Sequence, residues 1–289
     1  MIVFGGSNSV SLAWDVSKDI GAQLGKSEVK KFPDGEAYLR ILSDVRNQDC
    51  AVIQSVRTND HLVELLLFLD ALRDQGAREV VAVLPYLAYS RQDKVFASGE
   101  ALSAKTILKI IEELSSRIVT VNTHFMRGFG EGSFHRVRFT NLDAIPLLTS
   151  YLRPRMSHPM VIAPDAGSLG MAKYAAELMG CEFDHIKKKR ISGSEVIIET
   201  KPLAVKGMDV LILDDIISTG GTIVKVADFV GEWKPKSINV ACVHALFTNG
   251  LDIFRGKLDR IIATNTVESP ISRVNVGPLI ARELKRELG

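Results

Sequence analysis

Short, mostly apolar runs recur along the chain: Ile2–Phe4, Ala51–Val56, Val80-Val-Ala-Val-Leu84, Ile118–Val121, Met160–Ala163, Val210–Leu213 and Ser237–Val243. They lack the in-out alternation of half-exposed strands and are too short for core helices, so they predict strands buried on both faces. Between them, apolar residues spaced three and four apart predict helices over 12–24, 62–75, 101–114, 141–152, 169–179, 223–233 and 279–288. Strands alternating with helices predict parallel sheets covered by helices on both sides, an α/β protein. Glu28–Phe32 and Ala37–Ile41 flank Pro33-Asp-Gly-Glu36, a good turn sequence, and predict a hairpin. Phe134–Phe139 is short and alternating, like a hairpin arm. Further short strands are expected at 183–186, 195–199, 251–254 and 261–264.

Two pieces of the pattern rhyme. Val80–Leu84, a polar loop, a helix, then a strand ending in His124 is one. Val210–Leu213, a polar loop, a helix, then a strand ending in His244 is the other. The pattern predicts two tandem domains of one fold, 1–139 and 140–274, with the closing helix in 275–289 returning to the first.

The length of 289 residues suits two domains, and 46% apolar residues suffice for two cores. The net charge of +2 points to neither nucleic acid nor membrane as partner. Cys50, Cys181 and Cys242 are far apart in sequence and beside apolar residues. They form no zinc-spaced set and read as buried thiols of a reducing compartment. The first residues, MIVFGGSNS, lack the basic and apolar blocks of a secretion signal, and no stretch is long enough to span a bilayer. A soluble cytoplasmic protein is expected.

The chemistry collects where predicted strands end. Val210–Leu213 runs into Asp214-Asp215 and then Ser218-Thr-Gly-Gly-Thr222, with a helix following. Strand, small-residue loop and helix form a phosphate-binding arrangement: glycines let backbone N–H groups approach an anion, and three hydroxyls add donors. The paired acids can grip sugar hydroxyls directly or through a divalent cation. Phosphate at one end and a polyol beside it describe a sugar phosphate.

Four further sites attract the same reading. Pro85–Asp93 leaves its strand with a dense polar cluster, Arg91-Gln92-Asp93, ahead of a segment, 94–99, read as mobile. Asn122-Thr-His124 ends the next strand. Asp165 follows Met160–Ala163, as a helix cap or as a site acid parallel to Asp214. Lys187-Lys-Lys-Arg190 precedes Ile191-Ser-Gly-Ser194. It reads as a solvated basic loop, or as a mobile lid able to neutralise a transferring phosphoryl group. Phe32–Glu36, by local chemistry alone, is a plain turn with surface acids.

Through GGSNS, FPDGE, PYLAYSRQD, HFMRGFG, PDAGS, the KKKR run, DDIISTGGT and VNVGPLIARELKREL, the chain resembles the ribose-phosphate pyrophosphokinases nearly end to end, and its archaeal-type members most. DDIISTGGT alone is similar to the signature of the type I phosphoribosyltransferases. The resemblance implies two type I phosphoribosyltransferase-like domains and conversion of Mg·ATP and ribose 5-phosphate into phosphoribosyl pyrophosphate (PRPP) and AMP. It implies ATP contacts for Phe32, Asp34, Gly35 and Glu36 (serving a neighbouring subunit), for Arg91, Gln92 and Asp93, and for His124. His124 and Asp165 would be magnesium or ATP-phosphate positions. Lys188 and Arg190 would be catalytic cations, Arg190 also touching ribose 5-phosphate. Asp214, Asp215, Ser218, Thr219, Gly220, Gly221 and Thr222 would hold ribose 5-phosphate. A homodimer or larger assembly follows, because the ATP site is shared. No Walker A sequence occurs, so ATP needs some other cradle, and these positions supply one. Asn122 stands where many bacterial members carry Asp, Ser168 where many carry Gly, and the catalytic run has fewer arginines. Phosphate activation and ADP inhibition therefore do not carry over. Two rivals remain: a phosphoribosyltransferase that consumes PRPP, and a catalytically silent regulatory subunit. The first has no need of FPDGE or a duplicated domain, and retention of Lys188, Arg190, Asp214 and Asp215 speaks against the second.

Overall fold

The apolar runs form two sheets. The structure, a computed structural model, describes residues 1–126, 128–186, 188–190, 196–198 and 203–286, with backbone alone for 188–190 and 196–198. It divides into unit 1, Met1–Asp143 with Val276–Gly289, and unit 2, Ala144–Asn275.

Unit 1 opens with β1 (Ile2–Gly5), α1 (Val10–Ile20) and β2 (Gln23–Leu24), then the hairpin β3 (Ser27–Lys31) and β4 (Ala37–Ile41). It continues with β5 (Asp49–Ile53), α2 (Asn59–Asp74), β6 (Glu79–Leu84), α3 (Ser103–Leu114), β7 (Arg117–Val121), β8 (Gly130–Phe134) and β9 (Val137–Leu142). The seven-stranded sheet runs β2-β1-β5-β6-β7-β9-β8, parallel except where β8 turns back on β9. In β6, Val80–Leu84 are all buried, because helices cover both sheet faces. Phe4 and Phe68 meet in the core, ring centroids 6.1 Å apart, and losing a ring of this kind costs about 3–5 kcal/mol. Asn141, expected to start a helix, is instead in β9. Phe134 ends β8, and Phe139 lies within β9.

Unit 2 contains α4 (Ile145–Leu152), β10 (Pro159–Ala163), α5 (Leu169–Met179), β11 (Glu182–His185), the hairpin β12 (Lys188–Arg190) and β13 (Val196–Ile198), and β14 (Asp209–Ile217). After these come α6 (Gly221–Glu232), β15 (Ser237–Ala245), β16 (Arg260–Thr264) and β17 (Ser272–Val274). Its sheet runs β11-β10-β14-β15-β16-β17, all parallel. The expected strand at 251–254 is a turn of 3-10 helix, Asp252–Phe254. The chain ends with α7 (Gly277–Arg286), which packs on α1 in unit 1.

The units repeat one design, but not in the register the sequence suggests. In each, a first βα loop leads to an edge strand, an antiparallel hairpin follows, and the next strand pairs on the other side of the first. Thus β1-α1-β2 matches β10-α5-β11, the β3–β4 hairpin matches β12–β13, and β5-α2-β6 matches β14-α6-β15. α1 and α5 are 11 residues each and stop at left-handed glycines, Gly21 and Gly180, whose N–H groups close the last turn. The counterpart of β14 is therefore β5, not β6. The rhyme of His124 with His244 is one βα unit out of step, since short apolar strands look alike and only their pairing identifies them.

Among the described residues no helix is long and apolar enough to cross a membrane. Cys50 and Cys242 are buried, but Cys181 is partly exposed, because it follows the glycine that ends α5.

Candidate functional site

In open parallel sheets, ligands settle beyond the carboxyl ends of the strands, where the chain reverses direction across the sheet. In unit 2 that point lies between β10 and β14.

β14 does not end at Leu213, as its apolar run suggests. It continues to Ile217, so Asp214 and Asp215 are strand residues. Asp214 pairs in register with Cys242 of β15, and Ile216 with His244. The Asp215 N–H donates to Asp214 Oδ1 (3.1 Å), and the Ile216 N–H to Asp215 Oδ1 (2.8 Å). Burial pushes the Asp214 carboxyl well above the usual range, and the negative charges of Asp215 and Asp165 push it further. A strand end that crowds three carboxylates seeks hydroxyl donors or a cation.

After the strand, Ser218 and Thr219 lead to Gly220 at φ +81°, which caps α6 with no side-chain hydrogen bond. The first N–H groups of α6 thus face outward without a side-chain acceptor, the arrangement that receives an oxyanion. Two constraints demand glycine at 220. L-residues avoid its left-handed φ, and a Cβ there would collide with the Phe254 ring and Ile253. Phe254 is buried and lies edge-on to Phe247, centroids 5.5 Å apart. The Thr248 N–H donates to the Ser218 carbonyl at 2.9 Å, tying down the loop's other end. Thr219, Gly221 and Thr222 are exposed. Sequence reasoning missed Thr248, Ile253 and Phe254, which approach from the segment after β15 and carry no local signal.

Asp165 follows β10 and is half-buried. Its Oδ1 accepts from the Gly167 N–H (2.9 Å), the Ser168 N–H (3.3 Å) and Ser168 Oγ (3.3 Å). It therefore orders the loop before α5, where Ser168 and not Asp165 is the cap residue, while its charge reaches Asp214. Lys188 and Arg190, expected in a loop, are in β12, with Lys188 opposite Ile198 and Arg190 opposite Val196. Their side chains, Lys187 and Ile191–Ser194 lie outside the described residues.

In unit 1, the β3–β4 turn holds Phe32, Asp34, Gly35 and Glu36, all exposed. The Phe32 N–H donates to the Glu36 carbonyl (2.8 Å) and the Gly35 N–H to the Phe32 carbonyl (2.9 Å), with Gly35 at φ +97°. The Phe32 ring, 45% exposed, stands edge-on to Tyr38 at 5.7 Å. An aromatic face held up at a hairpin tip is available for stacking. Lys31 bridges to Asp60 at 2.5 Å, fixing the hairpin to the start of α2.

Arg91 is exposed, and Gln92 and Asp93 half-buried, beyond β6. The segment after them closes on Glu100. That carboxylate accepts from the Phe96 N–H (2.7 Å), the Ala97 N–H (3.0 Å) and Gln92 Nε2 (3.2 Å). The two backbone bonds hold its carboxyl below the usual range. The segment read as mobile thus has a built-in organiser, itself unflagged by sequence.

His124 is exposed beyond β7, after Asn122 at φ +39°. Buried Asn141 shapes this turn: its Oδ1 accepts from the Thr123 N–H (2.9 Å) and its Nδ2 donates to the Gly128 carbonyl (2.9 Å). Among the described residues no group of three or more His, Cys, Asp or Glu is arranged to hold a metal. The candidates thus fall into two groups: Asp165 with Asp214–Thr222 in unit 2, and the β3–β4 turn, Arg91–Asp93 and His124 in unit 1.

Residues 1–114 match a family model described as the N-terminal domain of ribose phosphate pyrophosphokinase. Residues 147–253 match one described as a phosphoribosyl transferase domain. The chain is 40% identical over 289 residues to a ribose-phosphate pyrophosphokinase of Methanothermobacter thermautotrophicus, covering 98% of this chain and 100% of that one. It is 38% identical over 279 residues to ribose-phosphate pyrophosphokinase 2 of Archaeoglobus fulgidus, covering 96% and 97%. Its structure is similar to a crystal structure of phosphoribosylpyrophosphate synthetase from Mycobacterium smegmatis, with TM-score 0.87, 26% identity, and coverage of 100% and 99%.

Proposed function

The chain belongs to the ribose-phosphate pyrophosphokinase family, and on that premise we propose how its residues divide the work of making PRPP and AMP from ribose 5-phosphate and ATP. Its relatives make it an archaeal-type member with two phosphoribosyltransferase-type domains.

The observation that carries the division is Gly220. Its left-handed turn, packed against Phe254, presents the start of α6 without a side-chain cap, next to an acid pair that repels its own charge. In our reading Ser218–Thr222 holds the 5-phosphate, and Asp214 and Asp215 accept hydrogen bonds from ribose hydroxyls. This half of the site supplies orientation. ATP lies against Arg91, Gln92, Asp93 and His124, and against Phe32, Asp34, Gly35 and Glu36 of a second copy of the chain. The exposed ring of Phe32 supports a stacking role on a purine. A homodimer or larger assembly is part of the proposal.

The anomeric hydroxyl oxygen of ribose 5-phosphate attacks the β-phosphorus of ATP. The bond from that phosphorus to the α,β-bridging oxygen breaks, AMP leaves with that oxygen, and the hydroxyl proton is lost. Lys188 and Arg190 neutralise the charge that grows on the transferring oxygens. A magnesium ion suits the donor set, because it is a hard cation that needs only one or two carboxylates beside water and substrate phosphates. Asp165 in unit 2 would offer a carboxylate oxygen, and His124 in unit 1 is a separate candidate position. A bound ion would screen phosphate charge.

Substitutions on the two sides of the site should separate in kinetics. Lys188→Ala should lower kcat by roughly 100-fold or more with little change in KM for ribose 5-phosphate. Thr219→Val, which removes one hydroxyl facing a charged phosphate, should raise that KM roughly 10-fold or more. Near-normal turnover in the first variant, or an unchanged KM in the second, would refute the corresponding role.

A further inference from the structure

Unit 1 has its own reversal point, between β1 and β5, and register fixes its equivalence to that of unit 2. Ile2 pairs with Gln23 and Cys50, as Met160 pairs with Glu182 and Val210. Cys50 pairs with Val80, as Val210 pairs with Ile238. Four residues beyond Cys50 is Gln54, and four beyond Val210 is Asp214. Gln54 thus occupies the place of Asp214, Thr58 caps α2 where Gly220 caps α6, and the loop 6–9 stands where 164–168 carries Asp165. None of these unit 1 positions has a role in the reaction as described.

Unit 1 fills this crevice from within. Gln54 is fully buried, and neither of its amide atoms has a hydrogen-bond partner among the described residues. A Cβ on Gly6 would run into its carboxamide. Beside it, Glu64 reaches in from α2, only 6% exposed. Its two carboxylate oxygens take the Ser7 N–H and the Ser7 hydroxyl, each at 2.6 Å. Asn8 Nδ2 donates to the Ser55 carbonyl (2.7 Å), and the Ser55 N–H to Ser9 Oγ (2.9 Å), locking the two loops together. A small-residue loop after a strand, giving one N–H and one O–H to a pair of anionic oxygens, makes the contacts a bound oxyanion receives. The anion here belongs to the chain.

We propose that the Gly5–Ser9 loop is an oxyanion site whose occupant is the carboxylate of Glu64. The Glu64 carboxylate closes this loop to free phosphates and phosphate esters. The contacts of Glu64 carry this assignment, which does not depend on the roles given to residues of unit 2.

Thermal unfolding of the full chain with inorganic phosphate as probe tests it, since emptying the loop should create a phosphate site. Glu64→Ala should unfold roughly 5–10 °C below wild type. About 10 mM phosphate should then raise its Tm by several degrees more than it raises that of wild type. The excess over wild type isolates the new site from phosphate bound at Ser218–Thr222, which both proteins share. Glu64→Gln still fills the space, so it should recover part of the lost stability and respond to phosphate no more than wild type. Equal phosphate shifts in wild type and Glu64→Ala would overturn the proposal. Should Glu64→Ala fail to fold in plain buffer, its refolding with and without phosphate decides. Phosphate-dependent recovery supports the site, and failure in both conditions overturns it.

Discussion

The surroundings of Asp214 disfavour its charged form. Burial and the charges of Asp215 and Asp165 raise its pKa in the folded state. Such a group favours folding in its protonated form, and that contribution is lost as pH rises through the folded pKa. Asp214→Asn should therefore unfold at a higher temperature than wild type at neutral pH, with the difference shrinking toward acid pH, while PRPP synthesis falls. Thermal melts between about pH 4 and pH 8 would show it, and a variant less stable than wild type at neutral pH would refute it. Individual residues differ in how far the sequence shows them. Asp214-Asp215 and Ser218–Thr222 announce themselves, since acids and glycines beside a buried apolar run need an explanation. Phe254 and Thr248 behind the loop do not, and neither do Gln54 and Glu64 in unit 1. They are ordinary residues until pairing between distant strands brings them to a loop.

Elements were legible in kind and less so in extent. Mostly apolar runs identified the buried strands, because parallel sheets covered on both faces need no polar alternation. They did not show that β14 continues through two carboxylates to Ile217, since ladder hydrogen bonds use backbone that polar residues supply equally well. Nor did they reveal β12, whose basic residues read as loop. The true register of the repeat emerges only from the order of strands in each sheet. The start of β14 carries a second acid of opposite character, and this one is buried. Asp209 is driven upward by burial, but Ser237 Oγ (2.7 Å), Ser157 Oγ and N–H (2.8 Å each) and the His158 N–H (3.3 Å) outweigh that and hold its carboxyl far below the usual range. Its stabilisation is present above the unfolded pKa near 3.8 and lost as pH falls below it. Asp209→Asn should cost roughly 2–4 kcal/mol at neutral pH, with the gap to wild type narrowing below about pH 4. Denaturant titration at two pH values measures this, and a gap independent of pH would contradict it.

At the scale of the whole molecule, the last helix belongs to the first unit. Ile280, Ala281 and Leu284 of α7 are buried, Glu283 pairs with Arg117 of β7, and Arg286 reaches Glu131 at 3.2 Å. Removing one partner of a largely buried ion pair costs about 3–5 kcal/mol, and deleting α7 also strips the apolar cover from α1. A chain ending at Asn275 should lose the calorimetric transition of unit 1 or shift it far down, while unit 2 keeps its own. An unchanged transition for unit 1 would contradict this. In the reaction of this family, ribose 5-phosphate receives a diphosphoryl group from ATP, not a single phosphoryl group. Phosphorus NMR of the protein with ATP, ribose 5-phosphate and magnesium tests it most directly. AMP and PRPP should appear in equal amounts, the PRPP diphosphate carrying both the β- and γ-phosphorus of ATP. ADP with a singly phosphorylated anomeric position, or no turnover of ATP in the presence of ribose 5-phosphate, would contradict it.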